Sequence, residues 1–221
     1  MKKTAILLGA SGLTGNILLH KLIEDTSYQS IKLFSRSKIE GLPNKVTQFI
    51  GDLLELEKFK VDFTADEVFC CIGTTAKKTP DKKRYKQIDY GIPASAAKLA
   101  KENNIKTFLV ISSMGANKNS NVFYNKTKGE MEHAVLKQGI TNTFILRPSL
   151  IGGDRKEQRI GEKIALVVFK LIQPLLIGNL KQYKTIDAEN IAKAMYYLAN
   201  KKTNAEVIIT SNEILKLSKK Y

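Results

Sequence analysis

Apolar residues in this chain fall into short unbroken runs, separated by stretches with helical spacing. Ala5 to Leu8, Ile31 to Ser35, Val46 to Ile50, Glu67 to Ile72, Thr107 to Ile111 and Thr143 to Leu146 have strand length and little alternation. Strands of this kind are buried on both faces, as in a parallel sheet covered by helices. Between them, Leu13 to Glu24, Tyr85 to Asn103 and Asn121 to Gln138 carry helical periodicity, and Leu53 to Phe59 reads as a short helical turn. Ile17, Leu18 and Ile23 are expected to face inward on the first helix. The second is rich in alanine, which permits close packing on a sheet. Strands alternating with helices predict right-handed βαβ units and the α/β class, a doubly wound parallel sheet.

After Arg147-Pro148 the pattern loosens. Gly152-Gly153-Asp154 reads as a turn, Arg159 to Leu171 as a helix ended by Pro174, and Ala188 to Asn200 as another helix. Val207 to Thr210 reads as a last strand and Glu213 to Leu217 as a short helix. No repeat, linker or low-complexity tract divides the chain. The expectation is one domain over 1–221, with residues 149–221 contributing a small C-terminal cap over a substrate. Within that part, Ile164 to Ile177 crowds Leu166, Val167, Val168, Phe169, Leu171 and Ile172 together. An apolar pocket or lid, core or a subunit contact, and transient membrane contact all fit this stretch.

Composition narrows the classes. The chain has 221 residues, 43% of them hydrophobic, which suits one cored domain and not a disordered one. Its formal charge is +15, with a cluster at Lys77, Lys78, Lys82, Lys83, Arg84 and Lys86. Tyr85 is the one aromatic within that cluster, and no nucleic-acid-binding motif accompanies it, so a solvated basic face is expected and no specific nucleic-acid partner. The adjacent Cys70 and Cys71 suit neither a disulfide framework nor a metal site and read as core. No metal set is expected; His20 and His133 read as surface residues, and Glu130 and Glu132 are expected to face solvent. Lys2 and Lys3 precede only a short apolar stretch, and Ile164 to Ile177 falls short of the ~20 apolar residues of a spanning helix. A cytoplasmic protein without stable membrane insertion, monomeric or homodimeric, is therefore expected.

The candidate chemistry begins where the first strand ends. Gly9, Gly12 and Gly15 lie at G-x-x-G-x-x-G spacing in TAILLGASGLTG. Such a turn lets backbone N–H groups approach phosphate oxygens, while the following helix's dipole favours the negative charge. Gly9, Ser11, Gly12, Leu13, Thr14 and Gly15 are thus candidates to hold a dinucleotide pyrophosphate, although three glycines can also mark only a tight turn. An acid about 20 residues further on would grip the ribose hydroxyl of NAD. This chain instead has Ser35-Arg36-Ser37-Lys38, and a guanidinium suits a 2′-phosphate. NADP(H) is expected as the preferred cofactor, with NAD(H) as the alternative if Arg36 is an ordinary surface arginine. Asp52 and Leu53 are candidates to border the adenine. Cys71, Ile72, Gly73, Thr74 and Thr75 would let the backbone pass beside ribose and phosphates.

Tyr124-Asn125-Lys126-Thr127-Lys128 sets a tyrosine and a lysine one helical turn apart on one face. A nearby cation favours the phenolate, which turns a tyrosine into a usable general acid/base. Ser113 or Ser112, at the end of the fifth strand, would hold a substrate oxygen, since ligand sites lie at that end of a parallel sheet. Alone, Y-x-x-x-K also describes a half-buried tyrosine beside a snorkelling lysine.

Together, GASGLTG (Gly9 to Gly15), CIGTT (Cys71 to Thr75), ISSMGA (Ile111 to Ala116), YNKTKGEME (Tyr124 to Glu132) and LRPSLIGG (Leu146 to Gly153) carry a family resemblance. The chain resembles the atypical, extended-like branch of the short-chain dehydrogenase/reductases, and within it the group of the human Tat-interactive oxidoreductase and its bacterial relatives. The resemblance implies a Rossmann fold in which Ser113 orients the reacting oxygen and Tyr124 gives or takes the proton. It implies that Lys128 binds the nicotinamide ribose, and it puts Ile111, Ser112, Pro148, Leu150 and Ile151 beside the cofactor. Many members carry asparagine where this chain aligns Asp89.

The function expected is an NADP-dependent oxidoreductase moving hydride between nicotinamide and a carbonyl/alcohol substrate, an apolar one if the 164–177 stretch lines the pocket. An NADPH-binding regulator or scaffold with little turnover is the alternative, and retention of Tyr124 and Lys128 favours the enzyme. A sugar-nucleotide epimerase fits less well, because little chain is left to grip a nucleotide sugar.

Overall fold

The computed structural model describes residues 2–152, 184–201 and 207–221. Strands β1 (Lys3–Leu8), β2 (Tyr28–Ser35), β3 (Val46–Ile50), β4 (Glu67–Cys70), β5 (Thr107–Ile111), β6 (Asn142–Arg147) and β9 (Ile208–Thr210) form one sheet. Its order is β3-β2-β1-β4-β5-β6-β9, and every neighbouring pair is parallel. The order reverses between β1 and β4, which opens a crevice at the carboxyl ends of the strands. Two further short strands, β7 (Ile151–Gly152) and β8 (Ile186–Asp187), pair separately.

Each face of the sheet has its own core because successive strand residues point opposite ways. Ala5 and Leu7 join Leu18, Leu19 and Leu22 of helix α1 (Leu13–Glu24) and Ile191, Ala192 and Met195 of helix α5 (Ala188–Asn200). Ile6 and Leu8 face the other way, onto Ala96, Ala97 and Ala100 of helix α3 (Ile92–Glu102) and Met131 and Val135 of helix α4 (Phe123–Lys137). Ala96, Ala97 and Ala100 are fully buried, as expected for a helix pressed close to a sheet. On α1 the inward stripe is Leu18, Leu19 and Leu22, while Ile17 and Ile23 are only partly buried at its rim, a rotation from the expected face.

Element ends account for most other departures. The fourth strand stops at Cys70, two residues early, and leaves Cys71 and Ile72 in the crevice loop. The helix expected from Tyr85 starts at Lys82, because the Asp81 carboxylate accepts from the Arg84 N–H at 2.7 Å and caps helix α2 (Lys82–Lys86). A single π turn, Gln87–Gly91, then joins α2 to α3. Past Arg147, α5 covers α1, β9 extends the sheet beside β6, and helix α6 (Ser211–Ser218) begins at a Thr210–Glu213 capping box. The described part of 149–221 is therefore integral to the sheet and its cover. Gly153, Asp154, the helix expected over Arg159 to Leu171 and the apolar stretch Ile164 to Ile177 lie outside the described residues.

Candidate functional site

Gly9 adopts φ 85°, and a Cβ there would lie 2.7 Å from the Cys71 carbonyl oxygen. A Cβ on Gly15 would meet the Gly9 carbonyl oxygen at 2.1 Å. Glycine is thus required at both positions by the close approach of β1, α1 and the loop after β4. Gly12 is the N-cap of α1; no side chain caps this end and no acid occupies its first turn. Uncapped amides without a competing carboxylate suit an anion. The turn fits a dinucleotide pyrophosphate on this geometry alone.

The neighbouring strand ends supply the flanks. At the end of β2, the buried Ser35 donates from its hydroxyl to the Ser37 carbonyl at 2.8 Å, which shapes the loop that presents Arg36. Arg36 and Ser37 are exposed, and among the described residues Arg36 has no hydrogen-bond or ion-pair partner. Asp52 caps the turn after β3 through the Leu54 N–H at 3.0 Å, and Leu53 packs into the core. After β4, the Cys71 N–H donates to the Leu8 carbonyl at 2.9 Å, so the Cys71–Thr75 loop runs alongside the glycine turn.

The two serines at the end of β5 differ. Ser112 donates its hydroxyl to Glu132, whose carboxylate also holds Arg147 in a two-pronged pair at 2.9 and 2.6 Å. Ser113, 8% exposed, has no hydrogen-bond partner for its hydroxyl among the described residues. Ser112 is therefore committed to the frame, and Ser113 is the hydroxyl free to meet a ligand. Glu132, expected in solvent, is buried, because it lies one four-residue step beyond the buried Lys128 on the same side of α4. Glu130 pairs with Lys86 at 2.6 Å. His20 and His133 are exposed, as expected.

Tyr124 stands in the first turn of α4, 42% exposed, with its ring edge-on to Tyr85 at 6.3 Å between centroids. Lys128, one turn on, is buried and forms an ion pair with Asp89 at 2.9 Å. Burial alone would depress the Lys128 ammonium, but the Asp89 carboxylate, with Tyr124 as a further contributor, outweighs it and holds the lysine above its usual range. The Asp89 carboxylate also accepts from the Thr74 N–H at 2.8 Å. Gly73 passes over the pair: a Cβ there would lie 3.6 Å from Asp89 Oδ1 and 3.8 Å from Lys128 Nζ. Sequence reasoning saw Asp89 only as a departure from the asparagine of the resembling family, and missed its partner. Pro148 is buried and its carbonyl accepts from the Met114 N–H at 3.0 Å, while Leu150 is exposed and the Leu150 carbonyl accepts from Ile186. Pro148, Leu150 and Ile151 thereby follow β6 at the same sheet end as Ile111 and Ser113.

A family model described as "NAD(P)H-binding" matches residues 9–168. "Protein FMP52, mitochondrial" of Candida albicans is 31% identical over 97% of this chain and 98% of its own. "Protein HTATIP2" of Rattus norvegicus is 33% identical over 76% of this chain and 70% of its own. Among solved structures, a UDP-glucose 4-epimerase from Thermotoga maritima superposes with a TM-score of 0.70 over 98% of this chain and 82% of that one, at 17% identity. That likeness shows the shared Rossmann fold. The curated fungal relatives carry a mitochondrial designation in their names, which overturns the expected cytoplasmic location.

Proposed function

The chain belongs to the NAD(P)H-binding family, as an atypical Rossmann-fold protein of the short-chain dehydrogenase/reductase kind, and from that premise we propose an NADP(H)-dependent oxidoreductase acting on a carbonyl or alcohol group. The observation that carries this reading is the buried hydroxyl of Ser113 at the end of β5, unpartnered among the described residues. A buried hydroxyl left without a partner is costly, and a ligand oxygen would satisfy it.

The nicotinamide dinucleotide supplies the hydride when bound. Gly9 to Gly15 would cradle its pyrophosphate, Arg36 its 2′-phosphate, and the Cys71–Thr75 and Pro148–Ile151 segments its nicotinamide half. In the reducing direction, the Ser113 hydroxyl donates to the carbonyl oxygen and fixes its position. The Tyr124 hydroxyl gives its proton to that oxygen as negative charge develops on it. Lys128, one turn below on the same helix face, lends positive charge to the phenolate left behind and offers N–H groups to the ribose. In the oxidising direction each proton runs backwards. Residues 149–221 would select the substrate, a small carbonyl or alcohol compound.

The test follows NADPH consumption across aldehydes, ketones and quinones. Wild-type protein is expected to turn over at least one of them. Tyr124→Phe is expected to lose about 100-fold or more in kcat, with NADPH affinity unchanged. Tight NADPH binding without consumption anywhere in the panel overturns the enzyme and favours a cofactor-binding regulator.

A further inference from the structure

We propose that Asp89 is a positioning residue that pins Lys128 and shares its charge, so that the Tyr124 phenol faces a nearly neutral pair and the site works at a higher pH than a bare lysine would set. The inference rests on the proton-transfer role given to Tyr124 above. It stands on how Asp89 is held. Its carboxylate is completely buried, and it sits in the one π turn among the described residues, between α2 and α3. Isolated π turns insert one extra residue into a helix and re-aim a side chain. Here the turned side chain meets two other elements: Oδ1 lies 2.9 Å from Lys128 Nζ of α4, and Oδ2 accepts from the Thr74 N–H of the loop after β4 at 2.8 Å. Gly73 leaves room over the pair that a larger side chain would narrow.

A buried ion pair at this distance is, to a third group, closer to a dipole than to a full charge. Among the described residues, Tyr124 of α4, Tyr85 of α2 and Cys70 of β4 face the pair. Burial, with Asp89 and Tyr124 adding to it, pushes the Tyr85 phenol well up, and burial pushes the Cys70 thiol up to about 11, so both stay neutral in the working range. Lys128 and Asp89 are thus the charged groups beside Tyr124 among these side chains.

Two readouts test this. One is the pH profile of kcat for wild type and Asp89→Asn. The other needs no substrate or cofactor: the ultraviolet phenolate absorbance followed over pH, with the same protein carrying Tyr124→Phe as the reference that removes the other tyrosines. Asp89→Asn is expected to move both midpoints toward acid by about 1 pH unit, since an opposite charge at short range shifts a group by about 1 to 3 units. The double variant Asp89→Asn/Lys128→Gln removes both charges and is expected to return the absorbance midpoint to near the wild-type value. Removing both partners leaves no lone buried charge, so the double variant answers even if Asp89→Asn alone does not fold. Unmoved midpoints in Asp89→Asn, or a double variant that titrates about 1 unit or more above wild type, overturn the proposal. Full turnover by Tyr124→Phe would instead sink the reading of Tyr124, while the absorbance result still decides what Asp89 does.

Discussion

Ser112 and Ser113 are adjacent, yet one belongs to the frame and the other to the ligand. Ser112→Ala removes the hydroxyl that Glu132 accepts from, and is expected to cost about 1 to 2 kcal/mol of stability, measured by urea unfolding. Ser113→Ala removes a hydroxyl with no partner among the described residues, so it is expected to leave stability unchanged or slightly raised while lowering kcat by about 100-fold. Arg36, exposed and unpaired among the described residues, gives a third contrast. Arg36→Ala is expected to weaken NADPH binding by about 10-fold and leave NADH untouched, as read by cofactor fluorescence titration. Glycine spacing and the tyrosine–lysine step were legible in the sequence because each depends on neighbours within one turn. The Asp89–Lys128 and Glu132–Arg147 pairs were not, because each joins two elements whose mutual rotation is set only by packing. The position of Glu132 was nonetheless readable: a residue four beyond Lys128 shares its face, and the acidic side chain alone argued for solvent.

Among elements, α4 carries the site and is held by a feature its motif does not advertise. Gly129 presses α4 against the loop that follows Ser113; a Cβ there would lie 2.1 Å from the Lys118 amide nitrogen. The Asn117 N–H donates to the Asn125 carbonyl at 3.0 Å in the same contact. Gly129→Ala must push backbone from backbone, and is expected to destabilise by about 1 to 3 kcal/mol and to lower turnover as Tyr124 shifts. Thermal unfolding and kcat, measured together, check both. The expected helix began two residues early because Asn121 and Val122 look helical, whereas the Ser120 hydroxyl accepts from the Val122 N–H and turns the chain before Phe123. The π turn ends just before Pro93, which has no N–H to give the Asp89 carbonyl, while apolar periodicity across Gln87–Gly91 is unbroken. The extra residue shows only when the two ends of the helix must both meet the sheet.

Over the whole molecule, the end of the sheet opposite the crevice is closed by a polar cluster. The Tyr28 hydroxyl donates to the buried Glu67, Lys3 approaches Glu67 at 3.6 Å, and Asn200 donates to Tyr28 at 3.3 Å. Burial raises the Glu67 carboxyl above its ordinary value of 4.5, despite the Tyr28 and Lys3 contacts that act the other way. A folded value above the unfolded one means that this group's contribution to stability is fullest below pH 4.5 and is lost as pH rises through the folded midpoint. Glu67→Gln keeps an acceptor for Tyr28 and removes that loss. Its melting temperature is expected to match wild type in acid and to exceed it at neutral pH. The fold class was legible because unbroken apolar runs alternating with helical periods admit few topologies. The cellular address was not: the same composition that suits a cored domain says nothing of where it works, and the mitochondrial names of the relatives correct the expectation.

The measurement that bears most directly on the site is the fate of a label. NADPH deuterated at the transferable position of the nicotinamide is incubated with wild-type protein and a carbonyl compound from the panel, and the product is weighed by mass spectrometry. Deuterium on the new alcohol carbon, lost with Tyr124→Phe while NADPH still binds, is the expected result. Label that stays on bound cofactor with every carbonyl offered, or transfer that is indifferent to Tyr124, contradicts it.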